Sequence, residues 1–525
     1  MPHKAMGTVA SIGYAAGPLY ILDRKRATYQ PSGDNFTESE RLLDAMEAAA
    51  QQVETLAAST QGDAADMLEF QVAMLRDASL SEIALEDIML GSDAASAWTD
   101  TMSNHVKDYE SAGDAYFRAR SADLRDIRER VLRALAGEAT TALPAGAVIH
   151  AHDLTPSEFL SMDWKKGGGI VLAGGSAASH VAMLARSRGV PMLVSTPLDA
   201  ANDDFVLLDA EHGAVTVQPD ATARDAFLVA AAAHVEALTR AREAMGKPAV
   251  TVDGVPVEVL VNIAEPSDTD GLDIAACGGV GLMRTEFLFS NGLPDEETQV
   301  AAYRRVLEWA GDKPVTIRTV DAGGDKPVPG FTVDETNPFL GLRGIRLCLA
   351  KPDIFRVQVR ALLRAAPAGD LKVMFPMIAV PAEYDAARTI FVEEAAALGL
   401  PVPPLGIMVE VPAVAIHPAA FAHVAFFSIG SNDLTQYVMA AGRDNGAVAA
   451  LGDPRNPAVL ALIHNVAAFG LANGIPVSLC GDAGGDPRLI PSLIAAGLRT
   501  LSVTPAQLPL AKAAIANSSV GHGQG

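Results

Sequence analysis

The sequence predicts a multidomain α/β protein: a small β/α domain with an inserted helical bundle, followed by a C-terminal (β/α)8 barrel. Three observations lead there. The 525 residues are too many for one hydrophobic core and suggest about three domains. Strand-like segments flank a long helical stretch, so the helices interrupt a β-rich unit. After Val250, short apolar strands alternate with helical stretches, the signature of repeated βα units.

The elements follow in chain order. Residues 6 to 24 mix β-branched and small residues with turn glycines, as short strands do, and are too few to fold alone. From Thr37 the period is helical: Thr37 and Glu40 make a capping box, and Leu42, Leu43, Met46, Ala49, Ala50 and Val53 recur at helical spacing. The pattern persists to Ala136. Within it, Asp66 to Asp77 carries a Met and Phe stripe, which reads first as bundle core and second as a partner face. Strand character returns at Ala147–His150, Gly169–Ala173, Pro191–Val194, Phe205–Leu208 and Ala214–Val217. Residues 1–30 and 142–221 therefore form one discontinuous domain around an insert, 31–141. Thr222 to Met245 reads as a nearly unbroken helix ended by Gly246-Lys247-Pro248, so 222–248 is a linker.

The remainder, 249–525, holds eight strand candidates: Val257–Ile263, Gly279–Met283, Val315–Val320, Lys372–Met377, Leu405–Val409, Val424–Ile429, Pro476–Leu479 and Leu498–Val503. Eight strands at this spacing fit a closed barrel better than an open sheet.

Forty basic against 63 acidic residues give a net charge of -23, which repels nucleic acid and anionic membranes. A small anionic substrate then needs a local arginine cluster. Cys277, Cys348 and Cys480 lie far apart without metal-ligand spacing, as free thiols in a reducing compartment do. The first residues lack the apolar core of a signal peptide, and no run approaches the roughly 20 apolar residues of a membrane span. The expected location is cytoplasmic.

Two places carry candidate chemistry. His180 stands where the glycine-rich turn Gly174-Gly175-Ser176-Ala177-Ala178-Ser179 enters a helix, and an imidazole there can carry a phosphoryl group beside the helix N-terminus. The alternative is a histidine that merely caps the helix. In the barrel, polar residues fall in series at the strand ends, where βα loops converge: Arg284 and Glu286, Arg318 and Asp321, Glu410, Asn432 and Asp433, Cys480 and Asp482. Each alone could be a solvated loop residue or half of an ion pair. Glu410 and Asp433 suit a hard cation such as Mg²⁺ that keeps waters and takes substrate oxygens. Arg284, Arg318 and Arg443 can fork onto phosphate and carboxylate oxygens, and Asn432 can donate to the same phosphate. Cys480 is either a buried spectator or an acid for a developing carbanion.

Five segments carry a resemblance: Gly281-Leu-Met-Arg-Thr-Glu-Phe-Leu-Phe289, Arg318-Thr-Val-Asp-Ala-Gly-Gly-Asp-Lys326, Asn337-Pro-Phe-Leu-Gly-Leu-Arg343, Met374-Phe-Pro-Met377 and Phe427-Ser-Ile-Gly-Ser-Asn-Asp-Leu-Thr-Gln-Tyr437. Together they closely resemble enzyme I of the sugar phosphotransferase system, over nearly the whole chain. The resemblance implies a swivelling phosphohistidine domain (1–30 and 142–221) whose helical insert docks a histidine-containing phosphocarrier protein, with Met74 and Leu75 at that contact. It implies a phosphoenolpyruvate-binding barrel, pairing as a homodimer, and Mg²⁺ as cofactor. His180 would accept phosphate on Nε2. Arg284, Arg318, Asn432, Asp433 and Arg443 would bind substrate, Lys326 and Arg343 lie in matching motifs, Glu410 and Asp433 would hold the metal, and Cys480 would donate a proton.

One departure stands out. Where the family has Gly-Gly-Arg-Thr-Ser-His, this chain reads Gly175-Ser-Ala-Ala-Ser-His180, with alanines at the arginine and threonine positions. Two other readings are a regulatory protein that binds phosphoenolpyruvate with weak or no transfer, and a dikinase- or synthase-like enzyme. The second needs a nucleotide-binding domain, and the insert offers no glycine-rich phosphate loop.

Overall fold

The computed structural model describes residues 3–22, 29–58, 63–111, 115–137, 144–175, 179–243, 245–289, 292–324, 328–333, 335–442, 448 and 451–520. The chain forms two compact units, Met1–His234 and Val235–Gly525.

In the first unit, β1 (His3–Met6), β2 (Thr8–Ser11) and β3 (Tyr14–Ile21) precede five helices: α1 (Asn35–Ala58), α2 (Asp63–Leu75), α3 (Ala78–Met89), α4 (Ala94–Ser111) and α5 (Ala115–Leu135). The chain then returns through β4 (Val148–Ala151), α6 (Pro156–Leu160), β5 (Gly169–Leu172), α7 (His180–Arg188), β6 (Met192–Val194), β7 (Phe205–Asp209), β8 (Ala214–Val217) and α8 (Ala221–Glu243). The sheet order is β1-β8-β7-β3-β4-β5-β6-β2. β3 to β6 run parallel, and the flanking strands pair antiparallel. Every residue of β4, β5 and β6 is buried, which is why these segments read as unbroken apolar runs.

The helical insert departs from its sequence reading at two points. Helix α1 starts before Thr37, and the cap is Asp34, whose carboxylate accepts from the Thr37 N–H (2.9 Å) and hydroxyl (2.7 Å). A carboxylate immediately upstream of the helix simply outcompetes the Thr37 hydroxyl for the free N–H groups. Leu75 is buried and Met74 half-buried, so Leu75 fills the core and presents no contact surface. Leu42, Met46, Trp98, Ile127 and Val131 share one continuous core with Phe159, Ile170 and Leu172 of the β/α domain. Between α5 and α6, Asp126 and Arg130 both hydrogen-bond to Ser157. The start of α8 lies on the sheet: Tyr14 meets Phe227 and His234 edge-on at 5.5 and 5.3 Å.

The second unit is a closed barrel of eight parallel strands: β9 (Glu258–Ile263), β10 (Val280–Met283), β11 (Pro314–Arg318), β12 (Asp370–Phe375), β13 (Leu405–Val409), β14 (Phe427–Ile429), β15 (Val477–Leu479) and β16 (Thr500–Val503). The ring closes where β16 pairs with β9, Leu501 opposite Val259. Each strand falls on its sequence candidate. The connection after β9 carries only 3₁₀ turns, Pro266–Thr269 and Ile274–Ala276, whereas the last strand is followed by a helix, Leu508–Ala516, that buries Leu508, Ala511 and Ile515. Leu282, Met374, Met408, Phe426 and Cys480 form a separate apolar cluster in the barrel. No helix among the described residues is long and apolar enough to cross a membrane.

Candidate active site

At the C-terminal ends of the barrel strands, chain folding turns separate polar residues into one network. Arg318 ends β11; Arg284, Glu410 and Cys480 directly follow β10, β13 and β15; Asn432 and Asp433 open the helix Ser431–Met439 after β14. Arg318 is buried and donates from Nη2 to Glu286 Oε1 at 2.9 Å, with Nη1 3.4 Å from Asp321 Oδ2. Glu286 Oε1 also accepts the Asp321 N–H.

Arg343 is the best-satisfied cation of the site among the described residues. It is fully buried and forks onto two carboxylates: Nε and Nη2 to Asp321 at 3.0 Å each, Nη1 and Nη2 to Asp433 at 3.0 and 3.1 Å. Nη1 also reaches the Tyr437 hydroxyl at 3.2 Å. Burial alone would pull both guanidinium groups toward neutrality, but the surrounding carboxylates outweigh it and hold them charged.

Glu410 is fully buried. Its Oε1 accepts the Met377 N–H at 2.6 Å, and its Oε2 has no hydrogen-bond partner among the described residues. Met377 reaches it from left-handed backbone (φ 59°), a conformation that is strained for a side chain of its kind. Gly344, at φ 57°, leaves room for that arrangement, since a Cβ there would sit 3.0 Å from Met377 Cγ. Burial first, then the charges of Asp433 and Asp321, push the Glu410 carboxyl up to about 8 against the pull of Arg318 and Arg343. Glu410 and Asp433 therefore lie close enough to repel one another. No group of three or more His, Cys, Asp or Glu that could hold a metal occurs among the described residues. An ion held by Glu410 and Asp433 would complete its shell with substrate and water oxygens, which is the habit of Mg²⁺. The buried, unpartnered oxygen of Glu410 fits that role.

Cys480 is buried, and burial pushes its thiol up to about 11, opposed by a hydrogen bond with Ser428 and by Arg318. It thus stays protonated at neutral pH. Asn432 accepts the Asp482 N–H at 3.0 Å, leaving its amide nitrogen without a partner among the described residues. Arg284 is exposed, and its guanidinium has no partner among them either.

The structure thus brings Arg318, Arg343, Glu410 and Asp433 into one network with Cys480 beside it, and sets Arg284 and Asn432 at its edge. Lys326, Arg443 and the side chain of His180 lie outside the described residues. Asp321 and Glu286 were visible as strand-end residues, but their service as the arginines' partners was not, and neither was Tyr437. In the first unit His180 is the first residue of α7, and the cap is Ser179, whose hydroxyl accepts the Ala182 N–H at 3.2 Å. The capping role once open to His180 is therefore taken by its neighbour.

A barrel rim of buried arginines and carboxylates, with a histidine opening a helix in a second unit, is the layout of an enzyme that handles phosphoenolpyruvate. Family models agree: "PEP-utilising enzyme, PEP-binding domain" matches residues 239–520, "PEP-utilising enzyme, N-terminal" 6–120 and "PEP-utilising enzyme, mobile domain" 143–213. A phosphoenolpyruvate-protein phosphotransferase of Bacillus sp. (strain S) is 40% identical over 431 residues, 79% of this chain and 74% of the relative. That of Geobacillus stearothermophilus is 38% identical over 531 residues, 97% of this chain and 92% of the relative. The chain belongs to the phosphoenolpyruvate-utilising enzymes and, among them, to the phosphoenolpyruvate-protein phosphotransferase family. A solution structure of the Enzyme I (nEIt) protein aligns over 44% of this chain and 99% of its own length, with 24% identity and a TM-score of 0.39.

Proposed function

We propose that this protein moves the phosphoryl group of phosphoenolpyruvate onto His180, releases pyruvate, and passes the group to a histidine of a small phosphocarrier protein, as the first component of a phosphotransferase system. The observation that carries this reading is the Arg318–Asp321–Arg343–Asp433 network beside the half-satisfied Glu410, within a chain whose first unit opens a helix on a histidine.

Substrate phosphate and carboxylate would be bound by Arg284, Arg318 and Asn432, with Arg443 and Lys326 as further candidates and Arg343 fixing Asp433 in place. Mg²⁺, when held by Glu410 and Asp433, supplies positive charge to the phosphoryl oxygens. His180, unprotonated, attacks phosphorus through Nε2 while the bond to the enol oxygen breaks. The enolate left behind takes a proton at carbon from the Cys480 thiol and becomes pyruvate, which makes the transfer downhill. Because transfer states of phosphoryl groups are loose, placement and charge neutralisation do most of the work.

In this reading residues 1–30 and 142–221 carry the phosphohistidine, 31–141 receive the carrier, 222–248 link the two ends, and 249–525 bind substrate and pair two copies. Incubation with radiolabelled phosphoenolpyruvate and Mg²⁺ tests it. Acid-labile label that chases onto an added phosphocarrier protein supports transfer. Saturable phosphoenolpyruvate binding with no label would instead make the chain a regulatory binder.

A further inference from the structure

Two serines stand side by side on the inner wall of the barrel, just below Cys480. Phe427, Ile429 and Leu479 share the core that the strands form with the outer helices, so strand alternation turns Ser428, Ser478 and Cys480 to the interior. Ser428 of β14 lies opposite Ser478 of β15 in the parallel register, and the Ser478 hydroxyl donates to the Ser428 oxygen at 3.1 Å. Ser428 is fully buried. Its partner on the other side is Met408 of β13, a member of the apolar cluster that also holds Cys480.

A buried pair of hydroxyls has two protons to place and satisfies itself with one. The second, on Ser428, goes to the Cys480 sulfur. The remainder of Cys480 is pinned too: its N–H donates to Ile429 O at 3.0 Å, its thiol reaches the same carbonyl at 3.6 Å, and Asn262 Nδ2 donates to its carbonyl at 3.0 Å. We infer that Ser428, oriented by Ser478, is a positioning residue for proton transfer, its hydroxyl holding the Cys480 sulfur in place and donating to the thiolate that forms. In that step the S–H bond breaks, the enolate's electron pair makes the new C–H bond, and the sulfur keeps its own pair; water returns the proton once pyruvate leaves. The inference rests on Cys480 being the proton donor.

The test follows first-turnover pyruvate from the full chain with phosphoenolpyruvate, Mg²⁺ and lactate dehydrogenase by stopped flow, in light and in heavy water. Loss of a donor to a charged group predicts a saturated rate about 10- to 100-fold lower in S428A, with the half-saturating phosphoenolpyruvate concentration unchanged. The solvent isotope effect should rise as well, because proton transfer then limits the turnover. S478A, which removes only the bond that orients Ser428, should show the same signature with a loss of about 2- to 10-fold. A parental rate in S428A overturns the inference, and so does a loss with an unchanged isotope effect, which would make the hydroxyl a packing element. If S428A does not fold, S478A decides, and parental behaviour there overturns it. C480A forming pyruvate at the parental rate would instead strike at Cys480 as donor, and the inference would fall with it.

Discussion

Removing the guanidinium of Arg343 would take a buried cation away from both Asp321 and Asp433, leaving Arg318 as the cation paired with Asp321, because all four of its carboxylate bonds are made inside the barrel. Loss of one partner of a buried ion network costs about 3–5 kcal/mol, so R343A should shift the barrel's urea-unfolding transition by that amount. An Arg343→Ala barrel as stable as the parent would show that the network holds little. Cys480 makes a different prediction. With its thiol near 11 it is protonated at neutral pH and able to donate. C480A should slow pyruvate release about 10²- to 10⁴-fold in a lactate dehydrogenase-coupled assay, with only the small loss of thermal stability that removing one buried sulfur from its apolar cluster brings. The residue types at the rim were legible in the sequence because strand ends are fixed by the βα rhythm. Their pairing was not: Arg343 bonds Asp321 and Asp433 across 22 and 90 residues of chain, and only the closed ring brings such positions together.

At the scale of elements, all eight barrel strands stand where short apolar runs alternate with helical periods, and the discontinuous sheet stands where strand character brackets the helices. Local pattern is sufficient there because buried parallel strands are apolar on both faces. It is insufficient at helix starts, where side chains compete for the same N–H groups, and Asp34 displaces Thr37 for that reason. It is blind to Glu38, a carboxylate in the middle of an apparently solvated helix turn. Burial would raise the Glu38 carboxyl, but hydrogen bonds from the Ala94 N–H, the Ser32 hydroxyl and N–H, and the Tyr29 hydroxyl outweigh it and bring it from 4.5 to about 2. A carboxylate depressed in the folded state stabilises above its unfolded value and loses that contribution as the pH falls toward the folded one. E38Q should therefore destabilise the first unit by about 1.5–3 kcal/mol at neutral pH, and the gap from the parent should close between pH 4.5 and about 2 in thermal melts. A gap that is constant with pH would remove the charge from the explanation.

For the whole molecule, one compact body begins a helix at His180 and the other gathers arginines and carboxylates at a barrel rim, and the proposed function divides its labour between them. The proposed acceptor, His180, and the proposed substrate site at the barrel rim are far apart in sequence, so the proposed chemistry is a property of the complete chain. Each barrel-rim substitution should therefore slow labelling without touching the fold of the first unit. The most direct measurement is a single turnover with phosphoenolpyruvate and Mg²⁺, quenched in alkali, in which pyruvate is counted and the phosphorylated peptide is identified by mass spectrometry. The prediction is one pyruvate for each phosphoryl group on His180 and neither product from H180A. Pyruvate formed by H180A, or a phosphoryl group found on another residue, would contradict it.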